Sequence, residues 1–151
     1  NLKKLQDTLS SGMEDIRASI HNLYSESLDL ESRIYELAAD IPQMNVELNY
    51  NISDNLAYDL KFDILSIVRE SITNCAKHSN ADKLAINILE QPKIYSLTIK
   101  DNGSIFDEGE NILNKGIGLS SMKEIANKYN GFLNYEFNKG FKIHISLMKG
   151  K

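Results

Sequence analysis

Arg69-Glu70-Ser71-Ile72-Thr73-Asn74-Cys75-Ala76-Lys77-His78 lies near the middle of the 151-residue chain and reads as the last turns of a two-faced helix. At ~100° per residue, Glu70, Asn74, Lys77 and His78 project to one side. Ile64, Leu65, Val68, Ile72 and Cys75 project to the other, the composition of a core face. A carboxylate, a carboxamide, an ammonium and an imidazole on one side form a compact polar cluster suited to a metal and a polyphosphate. An isolated helix with this pattern is more simply a solvated outer face. Two glycine motifs downstream favour the functional reading.

The first is Asp101-Asn102-Gly103, and the second is Gly116-Ile117-Gly118-Leu119. In this order and at this spacing, after Glu70-xxx-Asn74-xx-Lys77-His78, they resemble the ATP-binding module of two-component sensor histidine kinases. Gyrase and MutL share that superfamily. Lys77-His78-Ser79-Asn80-Ala81 and the short segment between the glycine motifs are similar to the kinases that pair with NarL/LuxR-type response regulators. The resemblance covers roughly residues 29–148 and, more loosely, the helix before them.

Around these motifs the chain alternates strands and helices. Val46, Leu48, Tyr50 and Ile52 alternate with polar residues, which predicts a half-buried strand. Ser53-Asp54-Asn55 offers caps for the helix that runs to about His78. Lys83–Leu89 and Ile94–Lys100 read as two strands joined around Gln91-Pro92. Asp101 shares the parity of Tyr95, Leu97 and Ile99. If the strand persists one residue further, its carboxylate points inward, at a cost unless something donates to it. An adenine amino group would meet that need, while a turn-forming Asp-Asn-Gly is the plainer alternative. Residues 104–115 show no regular pattern, which marks a lid or a disordered loop. A helix follows Ser120-Ser121, with Met122, Ile125, Ala126 and Tyr129 on one side, and Asn130-Gly131 closes it. Leu133–Phe137 and Phe141–Leu147 read as a final hairpin. The expected fold is therefore α/β, a two-layer α/β sandwich with a mixed sheet of about five strands, preceded by a long N-terminal helix.

That N-terminal helix spans residues 1–26. Leu9, Met13, Ile16, Ile20 and Leu23 recur at four-three spacing, the seam of a coiled coil or bundle, and such a stripe needs a partner. Ser25, Ser27 and Asp29 are capping types, so a boundary is expected there; the resemblance implies that residues 1–28 end a dimerisation hairpin and 29–151 form the catalytic domain. Leu30, Ile34 and Leu37 continue the same spacing, so one uninterrupted helix to Pro42 is also open.

Composition narrows the function. A formal net charge of −4 argues against a nucleic-acid partner. Cys75 is the single cysteine, which excludes an internal disulfide and a cysteine metal cluster. No apolar run approaches the ~18 residues of a membrane span. The chain is expected to be cytoplasmic and to make no membrane contact of its own.

The resemblance implies ATP and magnesium (Mg²⁺) as cofactors. It assigns Asn74 to the metal, Lys77 and His78 to the phosphate chain, Asp101 to the adenine amino group, and Gly103 to making room for the base. Gly116, Gly118 and Leu119 are assigned to the lid side. Glu70 is the implied general base toward an acceptor histidine. The implied partners are a response regulator receiver domain and a second copy of the protein, joined through the N-terminal helix. His21 lacks a following acidic residue and lies on what resembles the second hairpin helix, so the acceptor is expected upstream of this chain. Two positions depart from the family pattern: Ile105 stands where a glycine is frequent, and Phe141 follows Gly140 where threonine is usual. They motivate a competing reading, a degenerate module serving as a dimerisation and interaction scaffold. A serine kinase of the anti-sigma type shares the ATP module, but the coiled-coil-like stripe argues against it.

Overall fold

A computed structural model describes residues 29–53, 55–103, 119–137 and 139–150, with the backbone alone for His78. The expected helix over 1–26, the segment 104–115, Gly116 and Gly118 lie outside the described residues.

Three helices and five strands are described in chain order: α1 (Leu30–Ala39), β1 (Asn45–Asn51), α2 (Tyr58–His78), β2 (Lys83–Glu90), β3 (Ile94–Asp101), α3 (Leu119–Lys128), β4 (Phe132–Phe137) and β5 (Phe141–Met148). The sheet order is β1-β2-β3-β5-β4. β1 and β2 are parallel, and the other pairs are antiparallel. This is the expected mixed sheet. The crossover between the parallel strands is α2, because parallel neighbours need a long connection.

Strand alternation sets the layers. Leu84, Ile86 and Ile88 pair with Asp101, Ile99 and Leu97, and Leu97 and Ile99 pair in turn with Ile145 and Ile143. All of these side chains are buried. They meet Ile64, Ile67, Val68 and Ile72 of α2 and Met122 and Ala126 of α3 in one core. On the opposite parity Glu47, Asn49, Lys83 and Lys100 are exposed, Asn87, Thr98 and His144 are half-buried, and the small polar Ser96 and Ser146 are buried. Helices therefore cover one face of the sheet. α1 packs on α2, and α3 packs on β4 and β5.

The helix ends follow local chemistry, with one exception. Asp29 caps α1, accepting from the Glu31 amide at 3.2 Å and from the Ser32 hydroxyl at 3.1 Å. α3 closes with Asn130 at φ 55 while the Gly131 amide donates to the Ala126 carbonyl at 2.8 Å. This is the six-to-one bond of a Schellman ending, with Asn130 as its left-handed residue. A Cβ on Gly131 would overlap the Ser146 carbonyl, so a glycine is needed for that close approach. The exception is α2, which begins at Tyr58 with Ala57 at its N-cap and no side-chain capping bond. The expectation of a cap at Ser53-Asp54-Asn55 is corrected. The Ser53 amide and hydroxyl are taken by Glu90, at 2.9 and 3.2 Å, and Asp54 lies outside the described residues.

Candidate functional site

β3 continues through Asp101, one residue past its expected end, and keeps Asp101 on the inner face at 3% exposure. Its Oδ1 accepts from the Gly103 amide at 2.9 Å and from the Phe141 amide at 3.1 Å. An inward carboxylate does need donors, as expected, but two backbone amides already supply them. Both bonds fall on the same oxygen, Oδ1. One amide comes from the turn after β3 and the other from the start of β5.

Gly103 is buried beside the end of α2, where a Cβ would strike the Ser79 hydroxyl. Gly140 adopts φ +125, a conformation L side chains rarely take, and a Cβ there would strike the Asp101 carbonyl. Both glycines therefore allow the chain to close around Asp101.

Asn74 is 7% exposed and lines a small cavity with Asp101, Ser71, Cys75, Ile99 and Phe141. α2 is continuous through these positions, so Glu70, Asn74, Lys77 and His78 keep the expected common arc, but it is unevenly covered: Asn74 is buried, Glu70 is half-buried and Lys77 is exposed. The buried arc is wider than the apolar residues alone mark, because Ser71 and Asn74 extend it toward the sheet end. The cavity measures about 10 Å³, room for roughly one water. Cys75 is buried, with its sulfur 4.0 Å from that of Met44. Burial, with the Asp101 carboxylate beside it, pushes the Cys75 thiol up to about 12. It is a neutral wall of the cavity, not a nucleophile.

Glu70 opens onto a second space, a groove of about 420 Å³ between α2 and α3. Phe62, Ser66 and Glu70 line one side, and Ser121, Glu124 and Ile125 line the other. Leu119, the first residue of α3, is buried in the core. Sequence reasoning missed Asp63 at one end of this groove. It accepts from Lys128 Nζ at 2.9 Å and from the Tyr129 hydroxyl at 2.5 Å. Asp63 stands seven residues before Glu70, near the same side of α2, but nothing local points to partners 65 residues away.

Among the described residues no cluster of three His, Cys, Asp or Glu side chains is placed to hold a metal. The Asn74 carboxamide oxygen is a hard donor of the kind Mg²⁺ accepts, although the ion is more often held by one or two carboxylates together with waters and substrate phosphates. Lys77 would add positive charge at the end of α2.

A five-stranded mixed sheet covered by helices on one face, with an acid at a strand end facing a helix carboxamide, defines a class of nucleotide-binding ATPase domains. The model of the histidine kinase-, DNA gyrase B-, and HSP90-like ATPase family matches residues 61–151. The chain belongs to this ATPase family. It is 30% identical to the sensor histidine kinase DesK of Bacillus subtilis over 97% of its length, which is 40% of DesK. It is also 30% identical to the nitrate/nitrite sensor protein NarQ of Escherichia coli over 94% of its length, 22% of NarQ. The chain thus spans well under half of these relatives. Among solved structures, the blue-light activated histidine kinase of Erythrobacter litoralis superposes with a TM-score of 0.68 at 15% identity, over 95% of this chain and 49% of that one. The ATP-binding domain of PrrB from Mycobacterium tuberculosis gives 0.63 at 21%, over 82% of this chain and 93% of that one. These likenesses are of fold.

Proposed function

We propose that this chain is the catalytic domain of a sensor histidine kinase, binding ATP with Mg²⁺ and passing the γ-phosphate to a histidine for relay to a response regulator. The observation that carries this reading is the convergence of Asp101 and Asn74, from different elements, on one buried cavity at the end of the sheet. In this reading the base lies at the mouth of the cavity with its amino group toward Asp101. A cavity of about 10 Å³ cannot take the whole purine. Asn74 would hold the metal through its carboxamide oxygen, and a metal there would supply charge neutralisation for phosphoryl transfer. Glu70, on the groove, takes the proton from the acceptor imidazole. Residues 1–28 end a dimerisation hairpin and 29–151 form the catalytic domain. The described part has no helix long and apolar enough to cross a membrane.

Calorimetry tests the binding half. ATP should bind at one site in Mg²⁺, and chelation of the metal should weaken binding by about tenfold or more, the loss of a charge-neutralising partner. The chemical half needs the full-length protein. Glu70→Gln should retain ATP binding and lose autophosphorylation by about a hundredfold, within the range for a general base. ATP binding that ignores Mg²⁺, or a fully active Glu70→Gln protein, contradicts the assignment. The isolated chain should place no acid-labile phosphate on His21.

A further inference from the structure

The groove between α2 and α3 separates the helix that carries Glu70 and Asn74 from the helix that opens at Leu119. α3 sits on the sheet through Leu119, Met122 and Ala126, an apolar stripe. Such contacts are non-directional. A directional bond between the two helices is Asp63. The carboxylate, buried on α2, accepts from Lys128 and Tyr129, at the end of α3 and just beyond it. Both are charge-assisted bonds, the strong class. The same carboxylate holds the Lys128 ammonium above its usual range. Burial, with Asp63 beside it, raises the Tyr129 phenol well above its own.

We propose that Asp63 is a positioning residue, fixing through Lys128 and Tyr129 where the first turn of α3 stands relative to Glu70 and Asn74. The inference rests on the nucleotide reading above. Its mechanical basis is leverage. A 10-residue helix is about 15 Å long, so a tilt of about 5° at the tethered end moves the far end by about 1.3 Å. Displacements of that size are large on the scale of phosphate positioning, where about 1 Å can cost a hundredfold in rate. The base end of the site is built from Asp101, Gly103 and Phe141 and does not depend on α3.

The distinguishing readout is therefore the preference for triphosphate over nucleoside. Asp63→Asn in this chain should weaken Mg-ATP about tenfold through the displaced helix, while adenosine changes by less than about twofold. Adenosine is followed by NMR titration and ATP by calorimetry, well below the melting temperature. Tyr129→Phe keeps the Lys128 ion pair and should give a smaller shift in the same direction, about threefold. It decides the matter if Asp63→Asn does not fold. Equal weakening of ATP and adenosine, or a lower melting temperature with ATP affinity intact, reduces Asp63 to a structural residue and overturns the proposal. A native chain that binds neither ligand refutes the nucleotide reading itself.

Discussion

Asp101→Asn is expected to reduce ATP affinity by about a hundredfold while leaving the fold intact, the upper end for a hydrogen bond to a charged group. The structure gives the reason. Oδ1 of Asp101 is bonded to the amides of Gly103 and Phe141, and an asparagine oxygen can accept both bonds unchanged. The substituted NH₂ then occupies the position of the other carboxylate oxygen. In the proposed pose that position meets the exocyclic amino group of adenine, so a donor faces a donor. The same geometry predicts a change in preference as well as a loss. A purine with an oxo group at that position should gain on ATP in the variant, because its acceptor meets the new donor. Calorimetry with both nucleotides on both proteins measures the two effects. Equal affinity of native and variant chains for ATP would remove Asp101 from the site.

Gly140→Ala is the second large effect. Gly140 has φ +125, and a Cβ would enter the space of the Asp101 backbone carbonyl. Neither the backbone nor that carbonyl can yield without disturbing β3, which pairs with β5 on the same side. Strain at such a position costs about 1–3 kcal/mol, and the collision adds to it, so a loss of about 3 kcal/mol is expected in urea denaturation. The variant should also weaken ATP, because Gly140 delivers the Phe141 amide to Asp101. Lys139 in the same hairpin is a useful contrast: at φ 54 it occupies the left-handed region that an L-residue tolerates. A Gly140→Ala chain as stable as the native one would mean that the hairpin is not closed as described.

These two residues show how unevenly the site could be read from sequence. The inward position of Asp101 was legible, because period-two alternation from Tyr95 through Ile99 carries it to the buried face. Its partners were not. The Phe141 amide comes from a strand 40 residues on, and no local rule pairs them. The departure from threonine at this position also reads differently in three dimensions, since the backbone of Phe141, whatever its side chain, supports the acid.

The five strands were placed to within a residue or two at each end, because alternation over six to eight residues is a strong signal. The start of α2 was misplaced by several residues. Ser53 is a good capping type, but Glu90, 37 residues away, takes its amide and hydroxyl. Helical spacing placed Glu70 and Asn74 on one arc but could not tell their burial apart. Asn74 is buried because its side of α2 lines the cavity with Asp101, Ile99 and Phe141, a tertiary fact. Asp63 was invisible for the same reason as the Phe141 amide: its partners are on another element.

A crystal structure of this chain with Mg²⁺ and a non-hydrolysable ATP analogue tests the central claim most directly. The base amino group is expected within hydrogen-bond distance of Asp101, and the metal is expected on the Asn74 oxygen and the phosphates. A nucleotide bound elsewhere, with the cavity between Asn74 and Asp101 still closed to about one water, would contradict it.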